Sequence, residues 1–468
     1  MNRAPYALVL AAVAACSQGQ ARPASRPGTP APQSAPAARP PAPFPSTYRP
    51  FASTPTLIRG GTVLTAAGQE IRNGQVLIVD GKIAAVGATV DAPAGVTVID
   101  AAGRWVTPGV IDDHSHLGVY PSPGVQAHSD GNEATQPNTA EVWAEHSVWP
   151  QDPGFIRALE GGVTSMQILP GSANLFGGRS VVLKNVPSRT VQGMKFPGAP
   201  YGLKMACGEN PKRVYGNRGG PSTRMGEMAW DRQAWIRATA YRDRWDRWDR
   251  DHSGTAPERD LELETMAGVL RGEILVHNHC YRADEMAQMM DMAREFGYHI
   301  RSFHHGVEAY KVRDLLARDS IAGSLWADWW GFKMEALDFT RANLALVHEA
   351  GARAIVHSDD PTGIQKLNQE AAKAMEAGRE IGIVIPDSVA IRWITANPAW
   401  ALGIDRWVGT LEPGKNADVV IWSGNPFSVY TRADQVFIDG ALMFDRFNPN
   451  RRPRTDFEVG LFPAEAAR

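Results

Sequence analysis

Cysteine is nearly absent. The 468-residue chain holds three, Cys16, Cys207 and Cys280, too few for a disulfide framework. An excess of one charge is also missing: 48 Lys and Arg face 50 Asp and Glu, for a formal net charge of -2. Without a basic stripe carrying interleaved aromatics, nucleic acid is not the expected partner. The N-terminal apolar run Tyr6–Ala15 is too short to cross a bilayer stably. What is present is ordinary for a soluble globular protein: 43% hydrophobic and 21% charged residues, enough for a sizeable core. The length exceeds one small domain and suits a large barrel.

The first residues read as an address. Asn2-Arg3 supplies positive charge, Tyr6–Ala15 an apolar core, and Val13-Ala14-Ala15-Cys16 closes it. The last four resemble a bacterial lipoprotein cleavage box, in which the cysteine becomes the lipidated first residue. Ser17 follows rather than Asp, which leans toward the outer membrane. The alternative is an ordinary secretory signal cut near Ala15. Either way export is expected, to the periplasm, with a lipid anchor on Cys16 in the first case. Residues 17–55, dense in Pro, Ala and Ser, should form an extended tether.

From Thr56 short β-rich runs follow one another, at Leu57–Ala66, Gln75–Val79, Lys82–Val86 and Val96–Asp100. Asp80-Gly81 is a hairpin signal between two of them. Ala417–Trp422 and Gln435–Phe444 are strand-like again near the other end, the second broken by Asp439-Gly440. Neither terminal piece has enough strands to stand alone. The expectation is a composite β-sandwich from 56–106 and 403–450, with 107–402 inserted between its halves.

The insert alternates strand-like and helix-like runs, the pattern of parallel βα units. Seven strands are legible: Val106–Asp112, Ser165–Leu169, Gly202–Ala206, Ile274–His279, Ile300–His304, Ile321–Ser324 and Ala354–Ser358. With an eighth unseen, the fold class is α/β, a (β/α)8 TIM barrel. Such barrels carry their chemistry at the C-terminal strand ends.

Those ends are where histidine collects. The first strand runs into His114-Ser-His116. Residues i and i+2 of a strand share a face, so both imidazoles can reach one divalent cation. A second strand ends in His277 and His279, a third in His304-His305-Gly306, and a fourth in His357-Ser358-Asp359-Asp360. One such histidine would be explained by a hydrogen bond in the core. Four strand ends sharing the feature point to a metal site.

These segments resemble the metal-dependent amidohydrolase superfamily. The resemblance is carried by TPGVIDDHSH at 107–116, HCYRADEM at 279–286, HHG at 304–306, HSDD at 357–360, TANPAWALGI at 395–404 and GTLEPGKNADVVIW at 409–422. It looks closest to the imidazolonepropionase-related and peptide-cleaving branches, many of whose members hydrolyse C–N bonds. It implies a barrel with one or two divalent metals, zinc by default for N and O donors, and a sandwich from both chain ends. Matching motif to motif, the ligands fall on His114, His116, His279, His305 and Asp359. His277 then lies one layer deeper, His304 points to the opposite face, His357 lies beneath Asp359, and Asp360 points away. Lys204, in Tyr201–Cys207, resembles the lysine that two-metal members convert to a bridging carbamate. Two cations a few ångströms apart repel, and an anion between them offsets this. Some relatives place a glutamate at this strand, so Glu209 is the alternative bridge.

The implied reaction is attack of metal-activated water on an amide-type carbonyl, with Asp359 as general base and then acid. Substrate choice belongs to the loops after the strands: Val119–Trp149, Pro170–Arg179, Glu209–Arg224 and Trp326–Phe332. Arg213 and Arg218 in the third are candidates to clamp a substrate carboxylate, suiting a dipeptide or N-acyl amino acid, although each could equally fix its own loop. Asp231–Asp251 reads as a solvated helical insertion with a lid or interface role. A lactonase or deaminase on the same site, and a non-catalytic binding scaffold, remain open, as does a homo-oligomeric state.

Overall fold

The computed structural model describes residues 44–452. The signal, Cys16 and most of the tether lie outside them. Two eight-stranded sheets organise the described chain. The first joins both ends. From the N-terminal side come β1 (Thr56–Leu64), β2 (Glu70–Val79), β3 (Lys82–Gly87), β4 (Thr97–Asp100) and β5 (Trp105–Pro108). The second sheet takes β6 (Val110–Ser115), β7 (Val163–Ile168), β8 (Phe176–Lys184), β9 (Gly202–Ala206), β10 (Leu275–Cys280), β11 (Ile300–His305), β12 (Ala322–Leu325) and β13 (Arg353–Val356). The chain then returns to the first sheet with β14 (Val419–Trp422), β15 (Ala433–Ile438) and β16 (Ala441–Asp445).

The terminal sheet has the order β16-β15-β14-β5-β1-β2-β3. It branches at β1, which pairs with β4 through Thr56–Arg59 and with β5 through Thr62 and Val63. The expected sandwich is thus one continuous branched sheet. It encloses one core drawn from both chain ends, with Ile58, Val76, Val106, Val419, Ile421 and Phe437 in the same apolar cluster. The turns Asp80-Gly81 and Asp439-Gly440 have positive φ at both residues (49° and 74°; 47° and 75°). That is the type I′ geometry that matches strand twist and tolerates Asp and Gly best.

The inner sheet is the barrel. It runs β6 to β13 in sequence order, and its seam is closed by Asp359 N–H donating to His114 O at 3.0 Å. One strand departs from expectation. β8, the strand missing from the sequence reading, is antiparallel to both β7 and β9. Part of it, Phe176–Arg179, was expected to be loop because two glycines open it.

The expected first strand, Val106–Asp112, also divides. Its front half belongs to β5, and Gly109 separates it from β6. A Cβ on Gly109 would meet Thr164 Oγ1 at 2.1 Å, so only glycine lets the two sheets approach here.

The globular part begins before Thr56. Tyr48 is buried and its hydroxyl donates to Asp439 Oδ2 at 2.5 Å, while Lys195 Nζ donates to Phe44 O. Residues 44–48 are therefore docked, not part of an extended tether. The reason is local: Phe44 and Tyr48 interrupt the Pro/Ala/Ser composition with apolar surface that finds partners.

The helical insertion spans Arg224–Asp251. Thr223 caps it by accepting from Gly226 N–H, and His252 ends it in the left-handed region. Its buried residues Glu227, Asp231, Ala234, Trp235, Ala238 and Tyr241 recur every three to four positions, one stripe of the N-terminal half. One crosslink also departs from expectation. Cys207 and Cys280, at the ends of neighbouring strands β9 and β10, form a disulfide with Cα atoms 5.4 Å apart. Three cysteines make no framework, but parallel register places these two side by side.

Candidate metal centre

The C-terminal ends of β6, β9, β10, β11 and β13 converge. His114 Nε2, His116 Nε2 and Asp359 Oδ1 are 3.3, 3.3 and 3.2 Å from one another. Three donors held tetrahedrally at about 2.0 Å from an ion are about 3.3 Å apart, so this spacing fits a divalent cation. His114 is fully buried, and burial, then the nearby Lys204, holds it well below the usual imidazole range. Burial does the same to His279 and His305. Neutral imidazoles are what a cation requires. Burial alone would raise Asp359, but His305 and His116 outweigh it and keep the carboxylate ionised.

A second grouping overlaps the first. His114, His305 and His357 also bring ligand atoms within 4.8 Å of one another. His305 Nδ1 lies 3.9 Å from Asp359 Oδ2, and the His279 ring is centred 4.6 Å from that of His305. His279 Nδ1, His305 Nδ1 and His357 Nδ1 are buried without a hydrogen-bond partner. Unpaired buried polar atoms are costly, and the three rings that carry them pack together in one small volume. Lys204 Nζ reaches this volume from β9, 3.5 Å from His114 Nε2, and burial lowers its pKa to about 8.

Not every expectation survives. His304 does not point to the opposite face. Its Nδ1 is 2.8 Å from His114 Nδ1 and its Nε2 is 2.9 Å from His277 Nδ1. Strand alternation fails because β11 ends at His305, whose φ of 70° turns its side chain inward beside that of His304. His114, His304 and His277 thus form a chain of ring nitrogens at hydrogen-bond distance. Asp359 also has positive φ, 62°. Asp360 points away as expected, accepting from Thr362 N–H and Gly363 N–H in the following turn.

Glu209 stands apart from the cluster, 3.6 Å from Lys333 Nζ at the start of helix Glu209–Tyr215. Arg213 and Arg218 are exposed, and Arg218 donates to Ala134 O, a loop contact. Arg224 pairs with Glu285 and Glu335.

A cleft of about 580 Å³ opens onto the cluster, lined by His279, His305 and Asp359 on one side and by Tyr281, Trp326, Trp329, Trp330 and Phe332 on another. Neither Arg213 nor Arg218 lines it; Lys333 does. The sequence reading passed over Lys333, Tyr281 and Asn210. Tyr281 was within reach, two residues beyond His279 on the same face. Lys333 follows immediately after the loop Trp326–Phe332, and nothing in its local pattern marks it.

The Amidohydrolase family signature matches residues 105–450, from β5 through the last strand. The chain belongs to the amidohydrolase family. This amidohydrolase is 35% identical over 399 residues to "Amidohydrolase tasK" of Hapsidospora irregularis, taking in 80% of this chain and 39% of that protein. The chain thus spans about two fifths of that relative's length. It is 23% identical over 390 residues to an imidazolonepropionase of Mesorhizobium japonicum, covering 75% of this chain and 87% of that one. The crystal structure of an amidohydrolase from Thermotoga maritima superposes with a TM-score of 0.77 at 35% identity, over 84% of this chain and 100% of that chain.

Proposed function

We propose that this amidohydrolase is a divalent-metal-dependent hydrolase of amide-type C–N bonds, acting on a dipeptide or N-acyl amino acid. The carrying observation is the mutual spacing of His114 Nε2, His116 Nε2 and Asp359 Oδ1, with Asp359 lining an open cleft. Those three would hold one ion, and His279 with His305 a second, with zinc the default for this donor set. A bound cation supplies an acidified water near neutral pH and polarises the scissile carbonyl.

The chain's own groups do the rest. Lys204 would join the two sets as a carbamate. An amine with its pKa lowered to about 8 has a neutral fraction at pH 7, which reaction with carbon dioxide needs. Asp359 is ionised and about a quarter exposed toward the cleft. It accepts the proton released as water adds its oxygen to the carbonyl carbon. When the C–N bond breaks, the same carboxyl delivers that proton to the departing nitrogen. The products are a carboxylate and an amine.

The test is turnover of a dipeptide, N-acyl amino acid and lactone panel by zinc-loaded protein, beside Asp359→Asn with its metal content checked. The expectation is amide cleavage that falls by roughly 10²–10⁴-fold in the variant. Equal turnover by a metal-replete variant would overturn the role of Asp359, and cleavage confined to lactones would overturn the bond assignment.

A further inference from the structure

Resting on the amide-hydrolase reading, we propose that Lys333 recognises a free carboxylate on the amine half of the substrate, and that this half carries an aromatic side chain. Among the described residues, Lys333 is the one Lys or Arg lining the cleft. The other charges there are committed elsewhere: Asp328 is paired with Lys373 at 2.9 Å, and Asp359 belongs to the histidine cluster. The ammonium is held in place, not free to sweep. Nζ donates to Asn210 Oδ1 at 3.0 Å and sits 4.2 Å from the centre of the Tyr281 ring. Asn210 in turn places its Nδ2 3.3 Å from His279 Nε2 and 2.9 Å from Ser172 Oγ. One amide side chain therefore fixes the cation at a set distance from the metal cluster, as a reader of a group near the scissile bond needs.

Glu209, the nearest carboxylate to Lys333, is at 3.6 Å, beyond a good hydrogen bond. An incoming carboxylate at hydrogen-bond distance would gain a charge-assisted contact. The aromatic wall beside Lys333, beginning with the Phe332 ring 5.5 Å from Nζ, supplies the second element of selection. Trp326 and Trp329 stack with centroids 5.5 Å apart, while Trp330 and Phe332 are more than half exposed at the mouth. Large aromatic faces left in water beside a fixed cation suit an aromatic residue with its own carboxylate. The substrate class is N-acylated or N-terminally extended aromatic amino acids, cleaved with the carboxylate leaving on the amine.

The experiment is calorimetric binding of the non-hydrolysable ketomethylene analogues (amide NH replaced by CH2) of N-acetylphenylalanine, its carboxamide and N-acetylalanine to zinc-loaded full-length protein, wild type against Lys333→Met and Lys333→Arg. Wild type should prefer the acid to the carboxamide by at least about tenfold. Lys333→Met should bring that ratio to about one, Lys333→Arg should keep most of it, and the alanine compound should bind more weakly than the phenylalanine one. Melting temperature and metal content separate a lost contact from a lost fold. No acid preference in wild type, or its persistence in Lys333→Met, overturns the assignment. Acid-selective binding without turnover of any amide supports Lys333 and overturns the hydrolase reading instead.

Discussion

Single side chains decide whether the histidine cluster can hold an ion, and His304 decides for His114. Its Nδ1 is 2.8 Å from His114 Nδ1, and a proton donated from His114 Nδ1 across that contact would leave Nε2 as a free lone pair facing Asp359. Replacing His304 by Leu fills the space and removes the acceptor. Metal affinity should fall by roughly 10–100-fold, the usual effect of losing a group that orients a ligand. Chelator competition measures it, and an unchanged dissociation constant would contradict the orienting role. Glu227 is a second informative residue, well away from the cluster. Burial, with Glu285 nearby, raises its pKa from 4.5 to about 7, although Gly208 N–H donates to it. The folded protein then keeps a proton that the unfolded chain gives up between about pH 4.5 and 7. The contribution of this group therefore falls as pH rises through that window and is flat above it. Glu227→Gln should gain stability relative to wild type across that window, by on the order of 2–3 kcal/mol. Melting curves at pH 5 and 7.5 check the sign, and a difference independent of pH would refute it.

At the scale of elements, legibility followed periodicity. Seven barrel strands were readable because each is a short, largely apolar run, and four of them run into His or Asp. β8 was not, because Gly177 and Gly178 make its opening look like a loop and its antiparallel direction breaks the βα alternation. His114 and His279 were legible since their strands reach the site, and His116 and Asp359 since they lie within three residues of strand ends. His304 was misassigned because the alternation rule assumes an extended backbone, and His305 leaves it. Lys333 and Asn210 lie in loop and helix, where no period marks the face. The Cys207–Cys280 bond follows from the register of β9 and β10, a pairing no spacing reveals. It closes a loop with a sequence separation of 73 residues that includes the long helix. A double Cys→Ala variant should lose about 2–4 kcal/mol in denaturant unfolding. An unchanged midpoint would mean the crosslink adds nothing in solution.

The whole molecule is one chain whose ends build the outer sheet and whose middle builds the barrel. The joint is specific. Lys184, on β8 of the barrel, is buried 2.8 Å from Asp439 Oδ1 in the β15–β16 turn, and Tyr48 from the N-terminal segment donates to the same carboxyl. Three regions far apart in sequence thus meet at one ion pair, which gives the strand ends a rigid base. The imidazoles at those strand ends are predicted to hold one or two adjacent divalent cations. Elemental analysis of purified, dialysed protein tests that most directly, wild type beside a His114→Ala/His116→Ala double variant whose folding is checked by circular dichroism. The expected result is about one to two equivalents of transition metal per wild-type chain and a marked loss in the variant. A folded wild-type protein that takes up none from zinc, manganese or cobalt solutions, or a double variant that retains the full complement, would contradict it.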